Sequence, residues 1–202
     1  AEIVAEAEAH PTTGVVGAYT LLQDVVYLGG LPYPSRLVPG RDICRRFLLS
    51  GLYVWGSPTA TLLRADLVRG RDPFYDEASP VEDVDIMLDL LEGSDFGFVN
   101  QVLTFTRREN DSIMSVVKSF NGLLLAQLMA IEKYGPRLLS AEERTQRQRV
   151  LAWEYYSVLG EAVLRRRDRA FWAFHRRGLE RVGLRLSRPR VGLHAVLELL
   201  RI

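Results

Sequence analysis

The chain has 202 residues, 48% of them hydrophobic and 25% charged, with a net charge of +1. That is enough for one good core, or a core plus an appendage, in the composition of an ordinary soluble globular protein. A single cysteine, Cys44, excludes an internal disulfide and a thiolate zinc cluster and fits a reducing compartment.

The opening AEIVAEAEAH is acidic and helical, unlike a secretory signal. It lacks an initiator Met, so the chain is expected to be a piece of a longer protein. The first helix is predicted to end near His10-Pro11. GVVGAYTLL (14–22) reads as a buried strand. Gly and Pro punctuate 28–42, which is predicted to be a long loop, either packed on the surface or used for binding. RDICRRFLLSG (41–51) is a short helix, and PTATLLRADLV (58–68) holds a strand running into a turn. An acidic helix follows, then DFGFVNQVLTFTR (95–107) as one strand or two. Residues 1–107 thus alternate helix and strand, the signature of an α/β layered domain. After Ser112 the periodicity is helical, over about 115–134, 141–166, 168–182 and 190–201. YGPR (134–137) and SRPR (187–190) are predicted breaks, and Ser140 to Glu143 reads as a capping box. The longest apolar window, 122–131, is too short to span a bilayer.

The acidic helix is the most informative stretch. Six acids lie between Glu82 and Asp95. Ser79 suits the N-cap and Pro80 the first helical position, and Glu82 completes an S-x-x-E capping box. Wound at about 100° per residue, the helix gathers Val84, Ile86, Met87, Leu88, Leu90 and Leu91 on a broad apolar side. Glu82, Asp85, Asp89 and Glu92 point away from it, as a solvated face. Asp83 falls on the apolar side. An inward carboxylate is costly unless it is paired, hydrogen-bonded or used.

Other candidates are sparser. His10, His175 and His194 lack metal-ligand spacing and read as ordinary surface or cap histidines. No nucleophile-elbow, Walker or dinucleotide fingerprint is present. Gly56 and Ser57, in GSPTAT, either let a ligand approach the backbone or form a tight turn into a strand. Arg107 and Arg108 either hold a phosphate or belong to a solvated loop. Asp83 and Asp85 diverge on a helix, which counts against a shared metal ion and a hydrolase built on it.

The order of the pieces adds a resemblance. Gly56-Ser57-Pro58-Thr59, Leu63-Arg64, FYDE (74–77), EDVD (82–85), DFGFV (95–99) and an Arg-rich loop ending SIMS follow one another as in the second half of bacterial family 2 glycosyltransferases of the GT-A fold. HPTTGVVGAY is similar to the family's segment after its metal-binding DXD motif. The resemblance runs from about His10 to Ser115. It implies a fold class of α/β, a partial GT-A-like domain over 1–115, followed by a helical region over 116–202. It implies that Asp83 is the general base of an inverting sugar transfer, with Glu82 beside the acceptor pocket and Arg107 or Arg108 near the donor diphosphate. The expected partners are a nucleotide-sugar donor and a hydroxyl acceptor in cell-envelope or polysaccharide biosynthesis. The family's nucleotide-binding half and DXD ligands for Mg or Mn correspond to nothing in 1–202, so the chain alone is expected to be inactive. The expected location is cytoplasmic, with peripheral contact to the inner membrane through residues 165–190.

The competing class is a non-enzymatic interaction module. Residues 165–190 hold ten Arg against Asp168 and Glu180, a net +8, leaving −7 elsewhere. Phe171, Trp172 and Phe174 interleave with those arginines, as in an interfacial helix on an anionic membrane. The alternative is an amphipathic helix packed on the domain with a charged outer face. Nucleic acid is disfavoured because the rest of the chain is acidic.

Overall fold

The computed structural model describes residues 2–76, 79, 82–106 and 120–200. The chain separates into two compact units, 1–111 and 112–202.

The first unit is mixed α/β. Its elements are α1 (Glu2–Ala9), β1 (Thr13–Leu22), β2 (Val25–Tyr27), β3 (Leu37–Val38), α2 (Gly40–Ser50), a 3-10 turn (Pro58–Ala60), β4 (Leu62–Leu63), α3 (Ala65–Arg69), α4 (Glu82–Leu91) and β5 (Asp95–Thr106). The sheet order is β2-β1-β5-β3, with β4 also on β1. β1 and β5 run parallel, from Thr13 beside Asp95 to Leu22 beside Thr106, and the other pairs are antiparallel. The first six residues of β1 are all buried, which is why its sequence is a continuous small and β-branched run rather than an alternating one. α1 covers one face, with Ile3 and Ala7 against Val16, Ala18 and Val99.

α2 and α4 pack on each other and on the sheet. Ile43, Cys44, Phe47 and Leu48 form the buried stripe of α2. Gly51, at φ +74°, ends the helix in the left-handed conformation, its N–H donating to Phe47 O at 2.8 Å. Gly40 opens α2 against the end of α4: a Cβ there would lie 2.0 Å from Ser94 O and 2.2 Å from Leu91 O. The Cys44 thiol donates to Leu88 O at 3.7 Å, and burial pushes its pKa up to about 12, leaving an inert packing residue.

The second unit is helical: α5 (Gly122–Leu138), α6 (Ala141–Leu164), α7 (Arg169–Arg181) and α8 (Arg188–Leu200). The predicted capping box opens α6, with Glu143 N to Ser140 Oγ at 3.2 Å and Ser140 N to Glu143 Oε2 at 2.8 Å. Asp168 caps α7 through Phe171 N at 2.9 Å. α6 and α8 approach at Gly160, where a Cβ would stand 2.6 Å from Ala195 N. No helix among the described residues is long and apolar enough to cross a membrane.

Several expectations are corrected. The break at 134–137 is absent, because α5 continues through Gly135 and Pro136 to Leu138. Proline removes one ladder bond, but Tyr134 and Leu138 are both buried and anchor the last turn. The break before α8 is present but falls over 182–187, and α8 begins inside SRPR, with Pro189 in its first turn, where its missing N–H costs nothing. The loop over 28–42 contains β3 and the start of α2, and 58–68 holds only a two-residue strand between a 3-10 turn and α3. β2 escaped notice because all three of its residues are exposed and show no alternation. The start of the helix placed from about 115 lies outside the described residues.

The histidines are not surface groups. His175 and His194 are buried in the helical unit, and His10 is half-buried, 3.3 Å from the carboxylate of the fully buried Glu6. Arg36 pairs with the same carboxylate, its Nε at 2.9 Å from Glu6 Oε2. Phe171 is also core, ringed by Phe120, Trp172 and His175. The interleaved aromatics therefore serve packing, and the arginines of α7 form its outer face.

Candidate functional site

α4 places the acids. Its buried stripe is Ile86, Met87, Leu88, Leu90 and Leu91, and Asp83 sits one turn before the fully buried Met87. Asp83 is half-buried and makes no hydrogen bond or ion pair with another described residue. Desolvation, and secondarily the neighbouring Glu82 charge, raise its pKa above the ordinary carboxylate value. The other acids are not fully solvated, contrary to expectation: Glu82, Asp85, Asp89 and Glu92 are all half-buried. Neighbouring chain reaches three of these four positions. Ser79 Oγ donates to Asp85 Oδ2 at 3.2 Å, and Arg71 reaches Asp89 O at 3.5 Å. Arg41 of α2 lies 3.7 Å from Glu92. Ser79 is thus engaged with Asp85, and Pro80, which belongs to the expected cap, lies outside the described residues.

Two tyrosines complete the neighbourhood. Tyr53 and Tyr75 each have a raised pKa, first from burial and then from the Asp83 charge, with Glu82 adding to the effect on Tyr75. Asp83 is therefore within electrostatic reach of both phenols. Tyr53 stands edge-on to the buried Trp55, centroids 5.1 Å apart, and its hydroxyl donates to Gly56 O at 2.7 Å. Gly56 is required by its backbone: φ is +82°, and a Cβ would meet Leu28 Cδ1 at 2.8 Å. Ser57 follows on the exposed side, its hydroxyl 3.0 Å from that of Thr59. Gly56 thus holds the hydroxyl of one of the two phenols that feel the Asp83 charge. Arg64 is committed elsewhere, to Asp66 at 2.8 Å and Pro11 O at 3.1 Å. Arg107 and Arg108 lie outside the described residues.

No protein-family model, curated protein or solved structure gives a significant match to the chain. The site rests on its own geometry and on the order of motifs in the sequence. Among the described residues, no three His, Cys, Asp or Glu side chains gather as a cation site. The described residues do not fit the divalent metal that the resemblance implies. Tyr53 was missed in the sequence because nothing local marks it: thirty residues separate it from Asp83, and only the folded chain brings it within reach of that charge. Tyr75 lay within a quoted motif, and the aromatic in FYDE was the available signal.

Proposed function

We propose that residues 1–115 carry the acceptor-side part of an inverting glycosyltransferase, with 116–202 a helical region appended to it. The parent enzyme would move a sugar from a nucleotide-sugar to a hydroxyl acceptor in cytoplasmic assembly of cell-envelope polysaccharide. The observation that carries this reading is Asp83, a half-buried carboxylate of raised pKa that has no hydrogen bond or ion pair among the described residues and whose charge is felt by two phenols. Desolvation raises its affinity for the proton it must take. In the reaction the acceptor oxygen attacks the anomeric carbon, and the bond from that carbon to the phosphate oxygen breaks. The nucleoside diphosphate leaves with the electron pair, and the hydroxyl proton passes to Asp83. Tyr53 and Tyr75 supply flat, half-buried surfaces on which a sugar ring can lie. The neighbouring Glu82 charge raises the affinity of the base for that proton further.

The test is Asp83→Asn in the full-length protein, assayed by nucleoside diphosphate release. Loss of a general base should lower kcat by roughly 100-fold or more, with circular dichroism unchanged. Near wild-type turnover would remove Asp83 from the chemistry.

A further inference from the structure

The helical unit carries one helix, α8, that is apolar on its outer side as well as within. Winding α8 at about 100° per residue sets Gly192, Leu193, Val196, Leu199 and Leu200 on one face. That face points to solvent: the four side chains are each more than half exposed, Leu200 at 77%. The inner face holds His194 and Glu198 among Val191 and Ala195. His194 Nδ1 lies 3.0 Å from Ser157 Oγ, and α6 closes on this face at Gly160. On the neighbouring α6, Trp153 also stays 52% exposed, held edge-on to His194. A helix packed on a domain in water normally turns its apolar side inward, so a contiguous apolar outer face marks a surface with a partner.

The N-terminal end of the same helix is basic. Arg176, Arg185 and Arg188 line a cleft of about 460 Å³ together with Glu180 and Leu186. No hydrogen bond or ion pair commits any of the three guanidinium groups to another described residue. One carboxylate stands against three cations, so the cleft keeps two uncompensated positive charges. The positive end of the α8 dipole adds to that field. Arg188 shares the solvent side of α8 with the leucines.

We propose that the helical unit docks on an anionic lipid bilayer through α8, with Leu193, Val196, Leu199 and Leu200 entering the interface and the arginine cleft receiving lipid phosphate. Charge decides between occupants. A second copy would bring a second segment of net charge +8 toward the first, whereas an anionic bilayer complements both halves of the surface. An apolar face and a basic patch are the two signals that stable peripheral binding requires. The proposal differs from an interfacial α7, whose Phe171 is in the core. It is independent of the transferase reading.

Vesicle co-sedimentation of residues 1–202 tests it, on phosphatidylcholine vesicles with and without phosphatidylglycerol. Binding is expected only with phosphatidylglycerol and should fade as salt screens the arginines. Arg176→Ser, Arg185→Ser and Arg188→Ser together should weaken partitioning by about 100-fold, at about five-fold for each cation. Leu193→Ser with Leu200→Ser should weaken it by roughly ten-fold or more. These positions are exposed, so unchanged helicity is expected. No sedimentation of the wild-type chain with anionic vesicles at low salt overturns the proposal. So does binding that survives the leucine changes, or arginine-dependent binding of inorganic pyrophosphate without binding of vesicles. A dimer dispersed by the leucine changes, in a chain indifferent to lipid, would assign the face to self-association instead.

Discussion

Both units bury titratable groups that are satisfied, and the α/β unit adds one inward-facing group that is not satisfied among the described residues. In the helical unit His175 is fully buried, yet both ring nitrogens are satisfied: Nδ1 lies 2.9 Å from the Tyr155 hydroxyl and Nε2 2.8 Å from Phe120 O. A carbonyl accepts only, so Nε2 carries the proton and Nδ1 accepts from Tyr155. Burial pushes the histidine down to about 4 and keeps it neutral. In the α/β unit the fully buried Glu6 is paired with Arg36, with His10 3.3 Å away, but Asp83 is desolvated and has neither hydrogen bond nor ion pair among the described residues. A satisfied buried group stabilises or specifies a core. A desolvated group without a partner is a cost that folding alone does not explain. The contrast separates a structural histidine from a candidate catalytic aspartate.

The largest expected effects come from the two glycines where backbone meets backbone. Gly40→Ala and Gly160→Ala each place a methyl within 2.6 Å or less of main-chain atoms that cannot swing aside. Each should cost about 3 kcal/mol or more, in the range of severe overpacking. Hydrogen exchange should rise across α2 and α4 for the first and across α6 and α8 for the second. Equal exchange gains in both units from either change would break the division between them.

The histidine gives the next effect. Its folded pKa lies below the ordinary value of 6.5, so the unfolded chain binds the proton first as pH falls. Its contribution is complete above 6.5 and is lost as pH drops toward 4. Between pH 7 and 5 the loss should be about 2 kcal/mol, read from urea midpoints. His175→Phe should be less stable at pH 7 and show a flatter profile over that interval. An unchanged slope would mean that His175 is not the group responsible.

The smallest effect is on ligand binding by residues 1–202 alone. The α/β unit holds no three-ligand cation site among its described residues, and the transferase reading puts nucleotide and metal recognition elsewhere in the parent enzyme. Calorimetric titration with uridine diphosphate and a divalent metal should show no tight binding. Micromolar affinity would place a donor site within this chain and remove the proposed division of labour.

Much of the local structure was legible because its causes are local. Continuous burial made β1 readable, period 3.6 made α6 and α7 readable, and Ser140 with Glu143 marked a helix start that the hydrogen bonds reproduce. The wheel that turned Asp83 toward Met87 needed only the pitch of a helix. Tertiary structure decided everything that depends on which face finds a neighbour. It carried α5 past Pro136 by burying Tyr134 and Leu138, and it took His175 off the surface by setting Tyr155 and Phe120 around it. It put Tyr53 within electrostatic reach of Asp83 and half-covered the acids expected in water. It also turned the leucines of α8 outward, where a helical wheel alone would have placed them in a core. Periodicity states that a helix has an apolar side. Only the packing of the whole unit determines whether that side meets protein or is left for something else.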